Sequence, residues 1–240
     1  GIFYAGNTQL ESGSTLVVEL HGPVAGFSYD QLDVVGTVAL GGSSLTVDLQ
    51  YDPDDGQEFV IIDNDGTDTV SGSFSGLAEA AAFVVDGKRF FITYSGGDGN
   101  DVVLRRNREP VSAFETRTVA EDVLLEAAVS AVDPDGDGMT FSVETPPAHA
   151  ASFSLNPDGT FTYQANEHFS GSDSFRYIAD DGDRQAVLTQ EIEVTAVADE
   201  PLLSVAAASG DEGTPLPLAI TASLVDTDGS ETLSPIVSSG

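Results

Sequence analysis

An acidic segment at residues 133–138 carries the sharpest chemical signal in the sequence. Its residues are Asp133-Pro134-Asp135-Gly136-Asp137-Gly138. Carboxylates that alternate with Pro and Gly let a turn direct several oxygens at one point, and a hard cation such as Ca²⁺ requires about six to eight oxygen ligands. We therefore predict that Asp133, Asp135 and Asp137 bind calcium. An acidic β-turn without an ion is the alternative interpretation.

A degenerate second copy of this segment lies near the end of the printed sequence. It contains Asp226, Asp228 and Glu231, which we predict to act in the same way. The first copy lies in a unit of about ninety residues, at about 109–198, which is the size of a small β-sandwich domain. The copies therefore predict a tandem repeat with an acidic segment in each member.

Three further carboxylates mark the ends of the complete unit. Glu121 and Asp122 stand at its beginning and Asp199 at its end. Because the ends of one repeat meet the next repeat in a tandem array, these carboxylates are candidates to share an ion with the acidic segment. A solvated acidic linker is the alternative.

Secondary calcium candidates occur earlier in the chain. Residues 96–101 satisfy the Gly-Gly-x-Gly-x-Asp pattern of calcium-binding β-rolls once, which makes Asp98 and Asp101 candidates. Asp63 and Asp65 alternate in a similar way. A glycine-rich strand entry and a plain turn are the alternatives at these two places.

The charge balance limits the classes of partner. The sequence has 40 acidic and 8 basic residues and a formal net charge of −32, so cations or salt must screen strong self-repulsion. Nucleic acid is disfavoured as a partner because its recognition depends on Lys and Arg. No apolar run is long enough for membrane insertion.

The residue types required for catalysis are scarce. There is no cysteine and there are three histidines, so thiol chemistry and disulfides are excluded. The histidines His21, His149 and His168 lie outside any zinc-protease or serine-nucleophile motif. We predict that the protein is not an enzyme.

Apolar residues recur at period two, and Gly, Asp, Asn and Pro interrupt them at short intervals, which predicts an all-β fold. Asp86-Gly87 predicts a hairpin turn, and so does Pro157-Asp158-Gly159. The predicted domains are a β-solenoid end and cap, or alternatively a β-sandwich, at 1–105, a linker at 106–110, a sandwich at 111–198, and the beginning of a further repeat at 199–240.

Four motifs in the second domain resemble the bacterial cadherin-like tandem repeat of large surface adhesins. They are Val-Ala-Glu-Asp at 119–122, the acidic segment with its preceding residues at 131–137, the hairpin at 156–163, and Phe-Ser-Gly-Ser-Asp-Ser-Phe at 169–175. The resemblance implies an extracellular, immunoglobulin-like module made rigid by calcium, with Glu121, Asp133, Asp135 and Asp137 as ligands. Residues 180–183 are more acidic than the repeat usually has, which makes them a further ion site or surface charge.

The first domain resembles the end of a right-handed β-solenoid in autotransporter-like passenger proteins. The resemblance rests on residues 29–36, 61–66 and 94–104. It implies that residues 1–105 form the last coils and cap of a longer solenoid.

Our working hypothesis is a non-catalytic, calcium-stabilised structural or adhesive module of a large secreted or cell-surface bacterial protein. Its partners would be neighbouring repeats of the same chain, with homotypic, cell-surface or glycan contacts in adhesion or biofilm formation. The alternatives are a carbohydrate- or matrix-binding accessory of an extracellular hydrolase and an S-layer or biofilm-matrix component.

Overall fold

A computed structural model describes residues 1–207, 209, 211, 213, 219–225 and 232–234. The regular secondary structure of these residues consists of β-strands alone, which confirms the predicted all-β class. The strands are β1 Ile2–Ala5, β2 Thr8–Gln9, β3 Thr15–Leu20, β4 Gln31–Val34, β5 Val38–Ala39, β6 Ser44–Leu49, β7 Glu58–Asn64, β8 Ala82–Val85, β9 Lys88–Gly96, β10 Asp101–Arg106, β11 Val111–Ser112, β12 Arg117–Ala120, β13 Leu125–Ala128, β14 Ala131–Val132, β15 Thr140–Thr145, β16 Ala150–Leu155, β17 Thr160–Ala165, β18 Gly171–Asp180, β19 Gln185–Thr195, β20 Leu202–Val205 and β21 Ile220–Ser223.

The described part of the chain has no helix of the length and apolarity that a bilayer crossing requires.

The chain divides into two compact units. The first contains Gly1–Pro110 together with two later loops, Asp133–Gly138 and Asp180–Ala186, and the second contains the rest.

The first unit begins as a stack of parallel strands. β1, β4 and β7 pair in that order, β2 pairs with β5, and β3 pairs with β6, all in parallel. Ile2 of β1 lies beside Gln31 of β4, and Leu32 of β4 lies beside Ile62 of β7. Parallel strands need a long connection between them, and here each connection carries the chain once around a coil.

Hydrogen bonds between successive coils repeat at nearly the same interval. The backbone N–H of Thr37 donates to Oδ1 of Asn7 in the preceding coil, at a sequence separation of 30. The backbone N–H of Gly36 donates to Oδ1 of Asp65 in the following coil, at a sequence separation of 29. The coils therefore have almost equal length, and equivalent positions lie above one another.

Antiparallel strands close this sheet on the other side. The order of its six strands is β1-β4-β7-β10-β9-β8, with β10 antiparallel to both of its neighbours. β8 and β9 form the predicted hairpin, in which Asp86 and Gly87 both have positive φ, 48° and 78°. Asp and Gly tolerate that conformation, which matches the twist of a hairpin.

The core of the first unit consists of aliphatic and aromatic side chains from successive coils. In the β3–β6 pair, Leu16 stands beside Leu45 and Leu20 beside Leu49. Phe59 is fully buried and makes edge-on contacts with the rings of two tyrosines, Tyr29 and Tyr51. The period-two alternation of the sequence therefore sends every second residue into one shared interior.

The second unit has a four-stranded sheet in the order β12-β19-β18-β15 and a three-stranded sheet in the order β13-β17-β16. Both sheets contribute to one hydrophobic cluster, as expected for a β-sandwich. Its fully buried members include Phe161 and Tyr163 of β17 and Phe175 and Tyr177 of β18. Two short pairs, β11-β14 and β20-β21, complete the strands of this unit that the structure describes.

The structure contains the predicted turn at 157–159. The strands on either side of it, β16 and β17, are antiparallel, and Leu155 pairs with Phe161.

Asp173, from the Phe-Ser-Gly-Ser-Asp-Ser-Phe motif, fixes a loop of the second unit from within. Its buried carboxylate accepts hydrogen bonds from the backbone N–H of Ala148 at 3.0 Å and of His149 at 2.9 Å. The Tyr163 hydroxyl donates to the same carboxylate at 3.0 Å. Burial, and then the charge of Asp173, raise the pKa of Tyr163.

The ring cluster of the second unit yields a stability prediction. Phe175 contacts Phe153 at 4.7 Å and Phe161 at 5.0 Å between ring centroids. We expect Phe175→Ala to lower the free energy of unfolding by about 3–5 kcal/mol, because it leaves a cavity in the core. Phe114→Ala, at a side chain that is 75% exposed, is the matched control. Hydrogen exchange in peptides from β17 and β18 measures the loss, and equal exchange in the two variants would contradict the packing assignment.

Candidate metal centre

The candidate metal centre is built from two loops of the first unit. In the loop 133–138, Oδ1 of Asp133 accepts the backbone N–H of Asp135 at 2.8 Å and of Asp137 at 3.0 Å. In the loop 180–186, Oδ1 of Asp181 accepts the backbone N–H of Asp183 at 2.8 Å and of Arg184 at 2.7 Å. Each loop is therefore folded around a buried carboxylate of its own, the local behaviour that Asp favours in turns.

These loops bring three carboxylates together. Asp133, Asp137 and Asp181 each have an oxygen within 4.8 Å of the others, and they are the one such group of three or more metal-ligating side chains in the described part of the chain. Asp133 is only 7% exposed, and its buried Oδ2 has no hydrogen-bond partner. A buried carboxylate oxygen without a donor is costly unless a cation faces it. The donor set therefore fits a hard cation such as Ca²⁺.

Asp135, the middle carboxylate of the predicted set, lies in a different environment. Arg108 donates to its Oδ1 through Nη2 at 2.7 Å and through Nε at 3.0 Å, and the backbone N–H of Arg108 donates to Oδ2 at 2.8 Å. Nη2 of Arg105 lies 2.7 Å from the same Oδ1. The Asp135 side chain is 1% exposed, so two guanidinium groups neutralise a buried charge.

Two more arginines bind the remaining carboxylates of these loops. Arg89 donates from Nη1 to Oδ2 of Asp137 at 2.6 Å, and its backbone N–H donates to Asp183 at 3.0 Å. Arg106 pairs with Asp183, and both side chains are almost fully buried. The four arginines that bind these loops are here named the arginine cluster: Arg89, Arg105, Arg106 and Arg108.

The segment predicted as a linker is part of this arrangement. It supplies Arg106 and Arg108 to the arginine cluster, and Arg105 directly precedes it. Asn107, which is buried, donates from Nδ2 to Oδ2 of Asp181 at 2.8 Å, and its carbonyl oxygen accepts from Nε of Arg184 at 3.1 Å. The same residues that mark a composition change in the sequence therefore hold both acidic loops in the first unit.

The pKa values follow from these contacts. Burial by itself would raise the pKa of Asp135, but hydrogen bonds from Arg105 and Arg108 outweigh it and lower the pKa to about 2. The hydrogen bond to Asp137 raises the pKa of the Arg89 guanidinium. Both groups are therefore held in their charged forms.

The other candidates of the second domain belong to the second unit. Glu121 is buried, its Oε1 accepts the backbone N–H of Val197, and its Oε2 has no hydrogen-bond partner. Asp122 follows with a positive φ of 62° in a turn. Asp199 lies with Oδ2 3.1 Å from Nδ1 of His168. Three predicted ligands lie outside the described residues: Asp226, Asp228 and Glu231.

The secondary candidates lie in the first unit but have separate roles there. Asp65 accepts the backbone N–H of Gly36 at 2.7 Å, and Asp101 accepts that of Asn64 at 2.9 Å. Burial, followed by repulsion from Asp101, Asp33 and Asp98, raises the pKa of Asp63. Their carboxylates do not form a close group of the kind that Asp133, Asp137 and Asp181 form.

From the sequence, residues 180–183 were interpreted as a further ion site or as surface charge, but Asp181 was not singled out as a ligand and the arginine cluster was not included. The signal for Asp181 was present in the unusual acidity of residues 180–183. The signal for the arginines was their concentration in the sequence, since three of the eight basic residues, Arg105, Arg106 and Arg108, lie within four positions.

Comparison with known proteins supports the interpretation of the second domain. The bacterial cadherin-like domain matches residues 107–198. Curated proteins show no match to this chain.

Solved structures give weaker likenesses. An endo-fucoidan hydrolase from glycoside hydrolase family 107 is 16% identical over 52% of this chain and 20% of its own, with a TM-score of 0.31. Protocadherin Gamma B7 extracellular cadherin domains 1–4 are 18% identical over 57% of this chain and 40% of theirs, with a TM-score of 0.31. Human protocadherin-24 EC1-2 is 14% identical over 52% of this chain and 71% of its own, with a TM-score of 0.28.

The chain spans less than half the length of the first two of these structures. TM-scores this low support no inference about function. The likeness of this chain to a known family therefore rests on the sequence match between residues 107–198 and the bacterial cadherin-like domain.

The environment of Asp135 predicts how stability depends on pH. Its folded pKa of about 2 lies below the ordinary value of 3.8, so the unfolded chain takes up the proton first as the pH falls. The resulting stabilisation, on the order of 2 kcal/mol, is complete above about pH 4 and is lost between about pH 4 and pH 2.

Urea unfolding of the parent and of Asp135→Asn across this pH range tests the prediction. We expect the difference in free energy of unfolding between the two proteins to shrink as the pH falls from 4 to 2. A difference that stays constant over the whole range would contradict the assigned pKa.

Proposed function

We propose that this chain is a non-catalytic, calcium-stabilised structural and adhesive module of a secreted or cell-surface bacterial protein. The match of residues 107–198 to the bacterial cadherin-like domain supports the structural and extracellular parts of the proposal. The cluster of Asp133, Asp137 and Asp181 supports the calcium part.

The observation that carries the proposal is the buried Oδ2 of Asp133, which has no hydrogen-bond partner although two other carboxylates lie beside it. Arg89 supplies one positive charge at Asp137. Three carboxylates with one guanidinium leave an excess of negative charge in a mostly buried place. A divalent cation removes that excess, and Asp133, Asp137 and Asp181 would hold it with oxygen ligands.

The net negative charge of the chain is consistent with a protein that is stabilised by calcium. At a net charge of −32 the folded chain repels itself, and bound divalent cations reduce this repulsion. Extracellular calcium sites have dissociation constants of about 10⁻⁴ to 10⁻³ M. The folded module would be more stable outside the cell, where calcium is available, than in a compartment where calcium is scarce.

The histidines have structural contacts that agree with a non-catalytic role. His149 stacks on Phe169 with ring centroids 4.1 Å apart. His21 lies 3.3 Å from Asp48, and His168 pairs with Asp199. These contacts account for the three imidazoles without a substrate.

Calcium removal provides the first test. If calcium binds with a dissociation constant of about 10⁻⁴ to 10⁻³ M, about 10 mM Ca²⁺ stabilises the folded protein by roughly 1.4 to 2.7 kcal/mol per site. We expect the midpoint of thermal unfolding to rise with calcium and to fall when a chelator is added. An unchanged midpoint would remove the calcium part of the proposal.

A set of Asp→Asn substitutions assigns the site. We expect Asp133→Asn to lose most of the calcium-dependent rise in midpoint, because it removes the carboxylate with the free buried oxygen. Asp86→Asn, in the exposed turn of the β8–β9 hairpin, is the matched control and should keep the full rise.

Asp135→Asn separates the two kinds of carboxylate in the acidic loop. Because Asp135 binds Arg105 and Arg108, its loss should lower the midpoint by a similar amount with calcium and with chelator. A calcium-dependent rise that disappears in Asp135→Asn but persists in Asp133→Asn would reverse the assignment of the loop.

A further inference from the structure

Arg89 differs from the other members of the arginine cluster in the carboxylate that its side chain binds. Its Nη1 donates to Oδ2 of Asp137 at 2.6 Å, and Asp137 belongs to the group of three carboxylates that we propose to hold calcium. The other three arginines of the cluster bind Asp135 or Asp183, which are outside that group. Arg89 therefore places a positive charge at a carboxylate that a calcium ion would also use.

The main chain of Arg89 is fixed independently of its side chain. Arg89 is the second residue of β9, directly after the hairpin turn. Its backbone N–H donates to Oδ1 of Asp183 at 3.0 Å in the loop 180–186, and its Nη1 lies 3.5 Å from the carbonyl oxygen of Asp181 in the same loop. The guanidinium thus connects this loop with Asp137 of the other loop. A substitution that removes only the guanidinium leaves the backbone hydrogen bond in place.

The pair formed by Arg89 and Asp137 is accessible to water. The Arg89 side chain is 25% exposed and that of Asp137 is 24% exposed, whereas both side chains of the pair between Arg106 and Asp183 are 5% exposed. A partly exposed charge can exchange its partner for water at a lower cost than a fully buried one. A competing cation can therefore open the contact between Arg89 and Asp137.

The grouped carboxylates have neutral donors apart from Arg89. Oδ1 of Asp133 and Oδ1 of Asp181 accept backbone N–H groups, and Nδ2 of Asn107 donates to Oδ2 of Asp181. Among the described residues, Arg89 is the one cationic side chain that forms an ion pair with a member of this group. A cation bound by the group must therefore share Asp137 with the guanidinium or displace it.

We infer that Arg89 competes with calcium for Asp137, so that its guanidinium holds the two loops together when calcium is absent and lowers the affinity of the group for calcium. This inference rests on the proposed function, because it concerns calcium held by Asp133, Asp137 and Asp181. A unit positive charge and a divalent cation a few ångströms apart repel strongly enough, even in water, to change a binding constant by about tenfold.

Calorimetric titration of calcium into the whole chain tests the competition. We expect Arg89→Gln to lower the dissociation constant for calcium by at least about tenfold, because the competing charge is removed. Arg176→Gln is the matched control, since it removes the same charge at an exposed arginine of β18. The control should keep a dissociation constant close to that of the parent.

Arg89→Lys separates the effect of charge from that of shape. The ammonium group of lysine retains the positive charge beside Asp137, so we expect the dissociation constant to stay close to that of the parent. A decrease as large as that in Arg89→Gln would overturn the inference, because the charge would then not be its cause.

Hydrogen exchange measures how the two loops are held without calcium. In the presence of a chelator, we expect amides of residues 133–138 and 180–186 to exchange faster in Arg89→Gln than in the parent. Saturating calcium should restore slow exchange in this variant, because the cation replaces the guanidinium as the counter-charge. Equal exchange in the two proteins with chelator, or an Arg89→Gln chain that stays unfolded in saturating calcium, would overturn the inference.

The titrations distinguish failure of this inference from failure of the calcium proposal. Calcium binding by the parent with an equal or weaker affinity in Arg89→Gln overturns the competition and leaves the calcium proposal standing. Absence of binding in both proteins overturns both. Binding by Arg89→Gln alone supports the competition, since the guanidinium then excludes calcium from the parent.

Discussion

Burial of a carboxylate without a counter-charge costs several kcal/mol, and the loops 133–138 and 180–186 bury four of them to a large degree. Asp133 and Asp181 are buried residues, and the side chains of Asp135 and Asp183 are almost fully buried. The arginine cluster supplies compensating charge. Because the cluster uses half of all basic residues, the rest of the molecule is left strongly acidic.

The three carboxylates of the acidic loop share one motif but have different surroundings. Asp135 has both oxygens bound by arginine groups. Asp137 is bound by one guanidinium, and Asp133 has one oxygen bound by backbone N–H groups and the other without a partner. In the proposed function, the cation therefore lies at Asp133 and its neighbours, while Asp135 binds the arginines.

The stack of coils in the first unit depends on a different constraint, the regular offset between parallel strands. Pairing of strands one coil apart places equivalent positions above one another, so aliphatic ladders such as Leu16 with Leu45 form a continuous core. The antiparallel strands β8, β9 and β10 change this direction and end the parallel pairing on one side. The other side keeps the edges of β1, β2 and β3 open.

The sequence was enough to predict the all-β class, the hairpin turns at Asp86-Gly87 and Pro157-Asp158-Gly159, and the acidic segment that supplies two of the three grouped carboxylates, Asp133 and Asp137. These features depend on residues close together in the chain, such as apolar alternation and turn residues with positive φ. Which carboxylates meet depends on the folded chain, because Asp133 and Asp181 lie on loops that are far apart in the sequence. The folded chain also decided that residues 105–108 bind these loops, since a run of arginines in a sequence does not show which distant carboxylates will fold against it.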